Sequence, residues 1–291
     1  MSSSIDSEHT IAFMGVEGAN ADLACRQNYP YMRTLACNSF EDVFAVVAEG
    51  KAKYAMVPIE NSQAGRVAEI HNLLPRTNLH IVAEHIQKIE HCLYATAVVG
   101  VDASSPERLA MITDVYSHHQ GLLQCRTFIG EHKLKTHIHD NTATAARDVA
   151  EWKDKTKGAI CSKLAGELYQ LAKLAENIQD AEDNETLFVV LSKDAVDPSE
   201  DSKVLTSLFF ILRNMPAALY KSLGGFATNN VNIIKLESYI RAGANSSAQF
   251  FMTFEGHPNQ RPVQLALEEL GFFTQKVNVL GVYPADKSRD A

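Results

Sequence analysis

The sequence predicts an α/β fold: two lobes divided by a cleft, followed by a smaller domain of βαββαβ order. Three observations carry this expectation. Strands and helices alternate through residues 10–90, which implies βαβ units. A middle block, 91–170, alternates in the same way before the chain returns, over 171–193, to complete the first block. Beyond a charged segment with one proline, Lys193–Lys203, the order becomes strand, helix, strand, strand, helix, strand, the ferredoxin-like split βαβ unit. The expected domains are therefore 10–193 and 204–284. At 291 residues the chain is long enough for both, and 46% hydrophobic with 21% charged residues is a globular composition.

The elements follow in order. Ile11–Gly15 reads as a strand running into a turn, Gly15–Gly18, and a helix through Ala24. Ser39–Glu49 is an amphipathic helix with Ser39 as cap, Phe40, Val43, Phe44 and Val47 on one face, and Gly50 as its stop. Tyr54–Ile59 is a strand, Gly65–Leu74 a helix stopped by Pro75, and Leu79–Ile86 a strand. In the middle block, Ile112–Tyr116, Lys133–His139 and Ala159–Cys161 read as strands, with helices over Gln120–Gly130 and Asn141–Trp152. Strands over Leu174–Gln179 and Thr186–Ser192 bring the chain back. In the last domain the strands are Leu205–Leu212, Val231–Ile240, Ala248–Glu255 and Thr274–Val282. Helices fall at Pro216–Ala227 and Arg261–Gly271, and a turn spans Arg241–Ser247.

Composition excludes several classes. A net charge of −8 with no basic run argues against a nucleic-acid binder, which needs clustered Lys and Arg. No apolar stretch approaches the roughly 18 residues that a membrane span needs, and Met1–Thr10 is too polar for a signal peptide. Five cysteines, scattered without Cys-x-x-Cys spacing, disfavour a disulfide framework or zinc knuckle. A reducing cytoplasm is the expected location. Gly15-x-x-Gly18 lacks the third glycine and the later acidic residue of a dinucleotide loop.

Three polar clusters each sit at the end of an apolar, β-prone run: Ile59-Glu60-Asn61-Ser62, Ser117-His118-His119-Gln120 and Asn184-Glu185-Thr186-Leu187-Phe188. Hydroxyls and amides at strand ends are how an open α/β sheet presents an oxygen-rich ligand to a crevice. A metal site or catalytic triad at His118-His119 would need a spaced third ligand or nucleophile-elbow glycines, which are missing. In order and spacing the three clusters resemble the prephenate dehydratases, which carry Ile-Glu-Asn-Ser, Ser-His-x-Gln and Asn-x-Thr-Arg-Phe segments and then a regulatory ACT domain. The likeness runs from Ile11 to Pro284. It departs at His119, where the family has proline, and at Leu187, where it has arginine.

The resemblance implies a two-lobed periplasmic-binding-protein-like catalytic domain and a cofactor-free, metal-free lyase that turns prephenate into phenylpyruvate, water and carbon dioxide. Thr186 would be the catalytic donor, with Glu60, Asn61, Ser62, Ser117, Gln120, Ser162, Asn184 and Phe188 around the substrate. Asn214, Ala217, Ala218, Leu219, Glu237 and Ser238 match the family's phenylalanine-binding segments, and a homodimer or homotetramer is expected. Plainer readings stand beside these: Thr186 as a strand former, Asn61 and Ser62 as caps of the helix expected at Gly65, and Ser162 as a helix cap. Leucine cannot replace the arginine's bidentate fork, so the resemblance leaves carboxylate recognition to another cation such as Arg66, or to reduced activity. Rival functions are an arogenate dehydratase, which an unpaired Glu60 in the cleft would favour, and a non-catalytic metabolite sensor.

Overall fold

A computed structural model of the chain describes residues 6–239 and 248–290; the expected turn at 241–247, with Ile240, lies outside them. The first lobe contains β1 (Thr10–Met14), α1 (Asn20–Asn28), β2 (Arg33–Cys37), α2 (Phe40–Ala48), β3 (Tyr54–Asn61), β4 (Gly65–Arg66), α3 (Ala68–Leu73) and β5 (His80–Lys88). The second contains β6 (Cys92–Ala95), α4 (Pro106–Ala110), β7 (Asp114–Ser117), α5 (His119–Leu123), α6 (Arg126–Glu131), β8 (Lys135–Ile138), α7 (Thr142–Trp152), β9 (Lys157–Cys161), α8 (Lys163–Leu168) and β10 (Ala172–Ala175). Then β11 (Glu185–Ser192) returns to the first lobe. The last domain is β12 (Val204–Leu212), α9 (Ala218–Thr228), β13 (Ile233–Tyr239), β14 (Gln249–Glu255), α10 (Arg261–Phe273) and β15 (Thr274–Pro284).

These strands form three sheets, ordered β2-β1-β3-β11-β5 with β4 folded onto β3, β10-β6-β9-β7-β8, and β13-β14-β12-β15. Parallel pairing joins β1 to β2 and β3, whereas the returning β11 enters antiparallel between β3 and β5. The third sheet has the strand order of a ferredoxin-like βαββαβ unit, with α9 and α10 packed on each other.

The structure corrects four expectations. Residues 172–175 pair with β6, so the chain leaves the second lobe only after β10, later than the boundary expected at 171. Gly65 and Arg66 pair back onto β3 instead of opening a helix, and α3 starts at Ala68. The helix expected at Gln120–Gly130 breaks at Cys125, whose backbone is non-helical, giving α5 and α6. Strand β2 was not expected: its burial is mixed and it lies on the sheet edge, so the sequence shows no clean alternation.

Lys193–Lys203 is an irregular connection, yet it does not separate two cores. One cluster holds Ile59, Ile81, Val189 and Leu191 of the first lobe together with Leu205, Phe209, Phe251, Leu280 and Tyr283 of the ferredoxin-like sheet. That sheet thus has its helices on one face and the first lobe on the other. The crossing is tight at Gly281, where a Cβ would lie 2.0 Å from the Ile81 carbonyl oxygen, so only glycine fits.

Candidate active site

The site is organised by the pairing of β3 and β11. Along β11, Phe188 and Val190 point to the face covered by α1, while Leu187, Val189 and Leu191 point to the face covered by the ferredoxin-like sheet. Strand β3 contains a bulge: Thr186 pairs with Asn61 and Leu187 with Glu60, but Phe188 pairs with Pro58, leaving Ile59 as the extra residue. A bulge re-aims the side chains beyond it. Asn61 consequently joins Pro58, Thr186 and Phe188 in an interlobe cavity of about 530 Å³, whereas Glu60 joins Ile59 and Leu187 in a second cavity of about 320 Å³ between first lobe and ferredoxin-like domain.

Asn61 is the hub of the cleft. Its Oδ1 accepts from the backbone N–H groups of Gln63 (3.1 Å) and Ala64 (2.8 Å), and its Nδ2 donates to Thr186 Oγ1 (2.9 Å), Asn184 Oδ1 (3.0 Å) and the Glu185 carbonyl (3.0 Å). Asn184, which is buried, donates from Nδ2 to Gln124 Oε1 (3.0 Å), and the His91 ring places Nε2 at 2.8 Å from the same oxygen. Thr186 is itself buried at the cavity wall. The opposite wall comes from the second lobe: His118, Gln120 and Gly121 at the start of α5, and Asn141 and Thr142 at the start of α7, where Asn141 Oδ1 caps the helix through Ala143 N–H (2.8 Å). Asn20 and Ala21 bring the first turn of α1 to the same space. Arg66 and Asp140 line it too. Burial pushes the His91 and His118 rings below the ordinary imidazole range, favouring their neutral forms.

The remaining expected residues lie elsewhere. Glu60 faces the ferredoxin-like domain and pairs with Lys235, so it is not an unpaired acid in the cleft. Ser62 clamps a turn: its Oγ donates to the Asp183 carbonyl (2.8 Å) and accepts from Glu185 N–H (3.0 Å). Ser117 is fully buried and donates to the Ile160 carbonyl (2.6 Å). Ser162 caps α8 through Ala165 N–H (3.1 Å) and donates to the Gly18 carbonyl of the other lobe (2.7 Å), a latch between lobes. Each hydroxyl is used by the backbone, which is why residue type and strand-end position alone overstated their access to a ligand. Leu187 packs in the shared core; an arginine here would lie across from Glu60 and outside the cleft. Sequence reasoning missed His91, Asn141 and Gln124. A signal for Gln124 existed, since it stands four residues after Gln120 on the expected helix.

In the ferredoxin-like domain Asn214 and Ala217 are exposed on the loop before α9, Ala218 is buried and Leu219 packs against the domain core. Ala217 has φ 58°, a left-handed conformation that favours glycine. Glu237 lies in the interdomain cavity within 3.5 Å of both Lys235 Nζ and Arg66 Nη1, and Arg66 also donates to the Ser238 carbonyl (2.9 Å).

Comparisons with known proteins agree with this architecture. The family described as prephenate dehydratase matches residues 11–196. A bifunctional N-acyl-homoserine lactone acylase/prephenate dehydratase of Komagataeibacter europaeus is 43% identical over 98% of this chain and 99% of its own length. Arogenate dehydratase 2 of Petunia hybrida is 33% identical over 95% of this chain and 72% of its own. Among solved structures, the prephenate dehydratase of Arthrobacter aurescens in complex with L-Phe superposes with a TM-score of 0.83 at 28% identity, covering 94% of this chain and 89% of that one. The chain belongs to the prephenate dehydratase family and is a lyase of that family.

Proposed function

We propose that the interlobe cleft converts prephenate to phenylpyruvate, water and carbon dioxide, with Thr186 as the donor to the departing ring hydroxyl. The observation that carries this reading is the hydrogen bond from Asn61 to Thr186 Oγ1. With one lone pair of that oxygen occupied by an N–H, its own proton remains for the substrate. In the step, the ring C–O bond breaks as the bond to the ring carboxylate breaks, and the latter electron pair completes the aromatic ring. The hydroxyl leaves as water with one proton, relayed through Thr186 and drawn in the end from solvent. A threonine suffices because aromatisation drives the reaction and alignment does most of the rest. Two substrate carboxylates suit a cleft that faces the first turns of α1 and α7 from opposite lobes and has Arg66 on its wall.

Prephenate is read as the substrate because Glu60 is turned away and paired with Lys235; the exposed Asp140 on the cleft wall is the carboxylate that would hold the ammonium of arogenate, the second reading. The ferredoxin-like domain acts as an ACT domain that binds phenylalanine through Asn214, Ala217–Leu219, Glu237 and Ser238. The relative solved with L-Phe supports this reading, as does the placement of Glu237 and Ser238 against Arg66. The protein works in the cytoplasm as a dimer or tetramer. A second activity, hydrolysis of N-acyl-homoserine lactones, is favoured by the 43% identity to a relative whose name includes it.

The test is to incubate purified protein with prephenate, arogenate and an N-acyl-homoserine lactone, following phenylpyruvate, phenylalanine and homoserine lactone. Phenylpyruvate as the dominant product supports the proposal; phenylalanine from arogenate alone replaces the substrate; no dehydration of either sinks it.

A further inference from the structure

Two residues that face each other across the β3–β4 hairpin are both gripped by strand β13 of the ferredoxin-like domain. The hairpin pairs Glu60 with Arg66 and Asn61 with Gly65. Lys235 Nζ binds the Glu60 carboxylate and lies 3.5 Å from Glu237 Oε1. Arg66 Nη1 lies 3.5 Å from Glu237 Oε2 and donates to the Ser238 carbonyl (2.9 Å). Glu60, Lys235, Glu237 and Arg66 thus form a ring of alternating charge, two members from each domain, closed by the backbone pairing of Glu60 with Arg66. Lys235 is its most sheltered member, with a side chain 10% exposed against 43% for Arg66. The hairpin side of the ring leads into the cleft network. Asn61 Oδ1 holds the turn between the strands through Gln63 and Ala64 N–H, and Asn61 Nδ2 donates to Thr186 Oγ1 (2.9 Å). A shift of this hairpin therefore moves the amide that orients Thr186.

We infer that this ring is the coupling element between the domains, with Lys235 as the residue through which occupancy of the effector site reaches Asn61 and Thr186. The inference rests on both readings above, the cleft as the dehydratase site and the ferredoxin-like domain as the phenylalanine site. An amino-acid effector carries an ammonium group, and Glu237 has one carboxylate to share among Lys235, Arg66 and that newcomer. Its two present contacts are long for charge-assisted hydrogen bonds, at 3.5 Å each, so an added cation displaces them. Lys235 then falls back on Glu60, and Arg66 on the cleft that it already lines. Effector binding opens the ring, and the hairpin carries the change to Thr186. The coupling is reciprocal: the factor by which effector changes substrate affinity is the factor by which substrate changes effector affinity.

The experiment is steady-state kinetics on prephenate, with and without saturating phenylalanine, for the full-length wild type, Lys235→Met and Glu60→Gln. Phenylalanine Kd is measured by calorimetry, and thermal melts check folding. In the wild type phenylalanine should change kcat/KM by about fivefold or more. In Lys235→Met the ring is already open, so kcat/KM without phenylalanine should move toward the wild type's phenylalanine-saturated value, and the remaining response should fall below about twofold. The two variants should shift Kd in opposite senses. Lys235→Met removes a competitor for Glu237 and should lower Kd by about two- to fivefold, whereas Glu60→Gln leaves Lys235 to Glu237 alone and should raise it by a similar factor. Glu60→Gln should also lose the rate response, and it decides the matter if Lys235→Met does not fold. A wild-type response retained in either folded variant overturns the inference alone, as do Kd shifts of the same sign in both or phenylalanine binding without a rate change in the wild type. A wild type that binds no phenylalanine overturns the effector reading, and one that does not turn over prephenate overturns the cleft reading; either result takes this inference with it.

Discussion

The two faces of the β3–β11 strand pair divide the labour of the molecule. On one face Pro58, Asn61, Thr186 and Phe188 line the cleft, and the polar groups there are neutral amides and a hydroxyl in a directed network. On the other, Ile59, Glu60 and Leu187 meet Lys235 and Glu237 of the ferredoxin-like domain, and the polar contacts there are ion pairs. Neighbours in one motif, Thr186 and Leu187, therefore line different cavities. A contiguous motif in a strand is two half-motifs, one per face. The faces communicate at Arg66, which lines the cleft while its guanidinium binds the Ser238 carbonyl.

Breaking the cleft face should have the largest effect. Thr186→Val replaces a hydroxyl with an isosteric methyl and should lower kcat by roughly 10²–10³, or about 2.7–4 kcal/mol, without changing the melting temperature by more than a few degrees. The assay is phenylpyruvate formation beside a melt; near-normal turnover removes Thr186 from the chemistry.

Breaking the docking face should cost stability and spare chemistry. Glu84 is almost fully buried and accepts from both Arg289 Nη2 (3.0 Å) and Asp286 N–H (3.0 Å). Glu84→Leu leaves the Arg289 guanidinium without its carboxylate, so a loss of about 3 kcal/mol in denaturant unfolding is expected. A stability loss below about 1 kcal/mol would show that the ion pair contributes little to docking.

A pH series sharpens the same contrast, because it reports on buried histidines of both lobes. Burial holds His71 and His91 below the ordinary imidazole value of 6.5. Below that value the unfolded chain binds protons that the folded state refuses, so stability is fully present above about 6.5 and is lost as pH falls toward the depressed folded values. The limiting slope is about 1.4 kcal/mol per pH unit for each histidine. Urea midpoints at about pH 7.5 and pH 5.5 measure it, and His71→Gln should remove about a third of the histidine-dependent part, the rest belonging to His91 and His118. A midpoint that rises on acidification contradicts the assignment.

Smaller still is the effect at Ala217, whose φ of 58° an alanine adopts at a cost. Ala217→Gly should stabilise the protein by about 1 kcal/mol, seen as a higher melting temperature, with turnover unchanged. A destabilised variant would mean that the unfolded-state entropy of glycine outweighs the relief.

Much of this was legible in the residues. The βαββαβ order could be read because turn residues and amphipathic helices punctuate it, and the Ser39 cap holds as expected, accepting from Asp42 N–H at 3.1 Å. The cleft face of β11 was legible in principle, since Val189 and Leu191 alternate with Phe188 and place Leu187 on the apolar side. Glu60 was not. Strict alternation from Val57 and Ile59 sends it into the cleft, and only the bulge at Ile59, a property of two strands paired across more than a hundred residues, turns it away. Ser117 and Ser162 were beyond reach for a related reason, because the Ile160 and Gly18 carbonyls that claim their hydroxyls are distant in sequence.

The division between the two faces is tested most directly by measuring kcat/KM on prephenate for Leu187→Arg beside Thr186→Val. Leu187 lines the interdomain cavity and not the cleft, so the arginine should leave kcat/KM within about twofold of the wild type, while the valine variant loses roughly 10²–10³. A gain of about tenfold or more from Leu187→Arg would mean that position 187 reaches the substrate, and would contradict the assignment of the two faces.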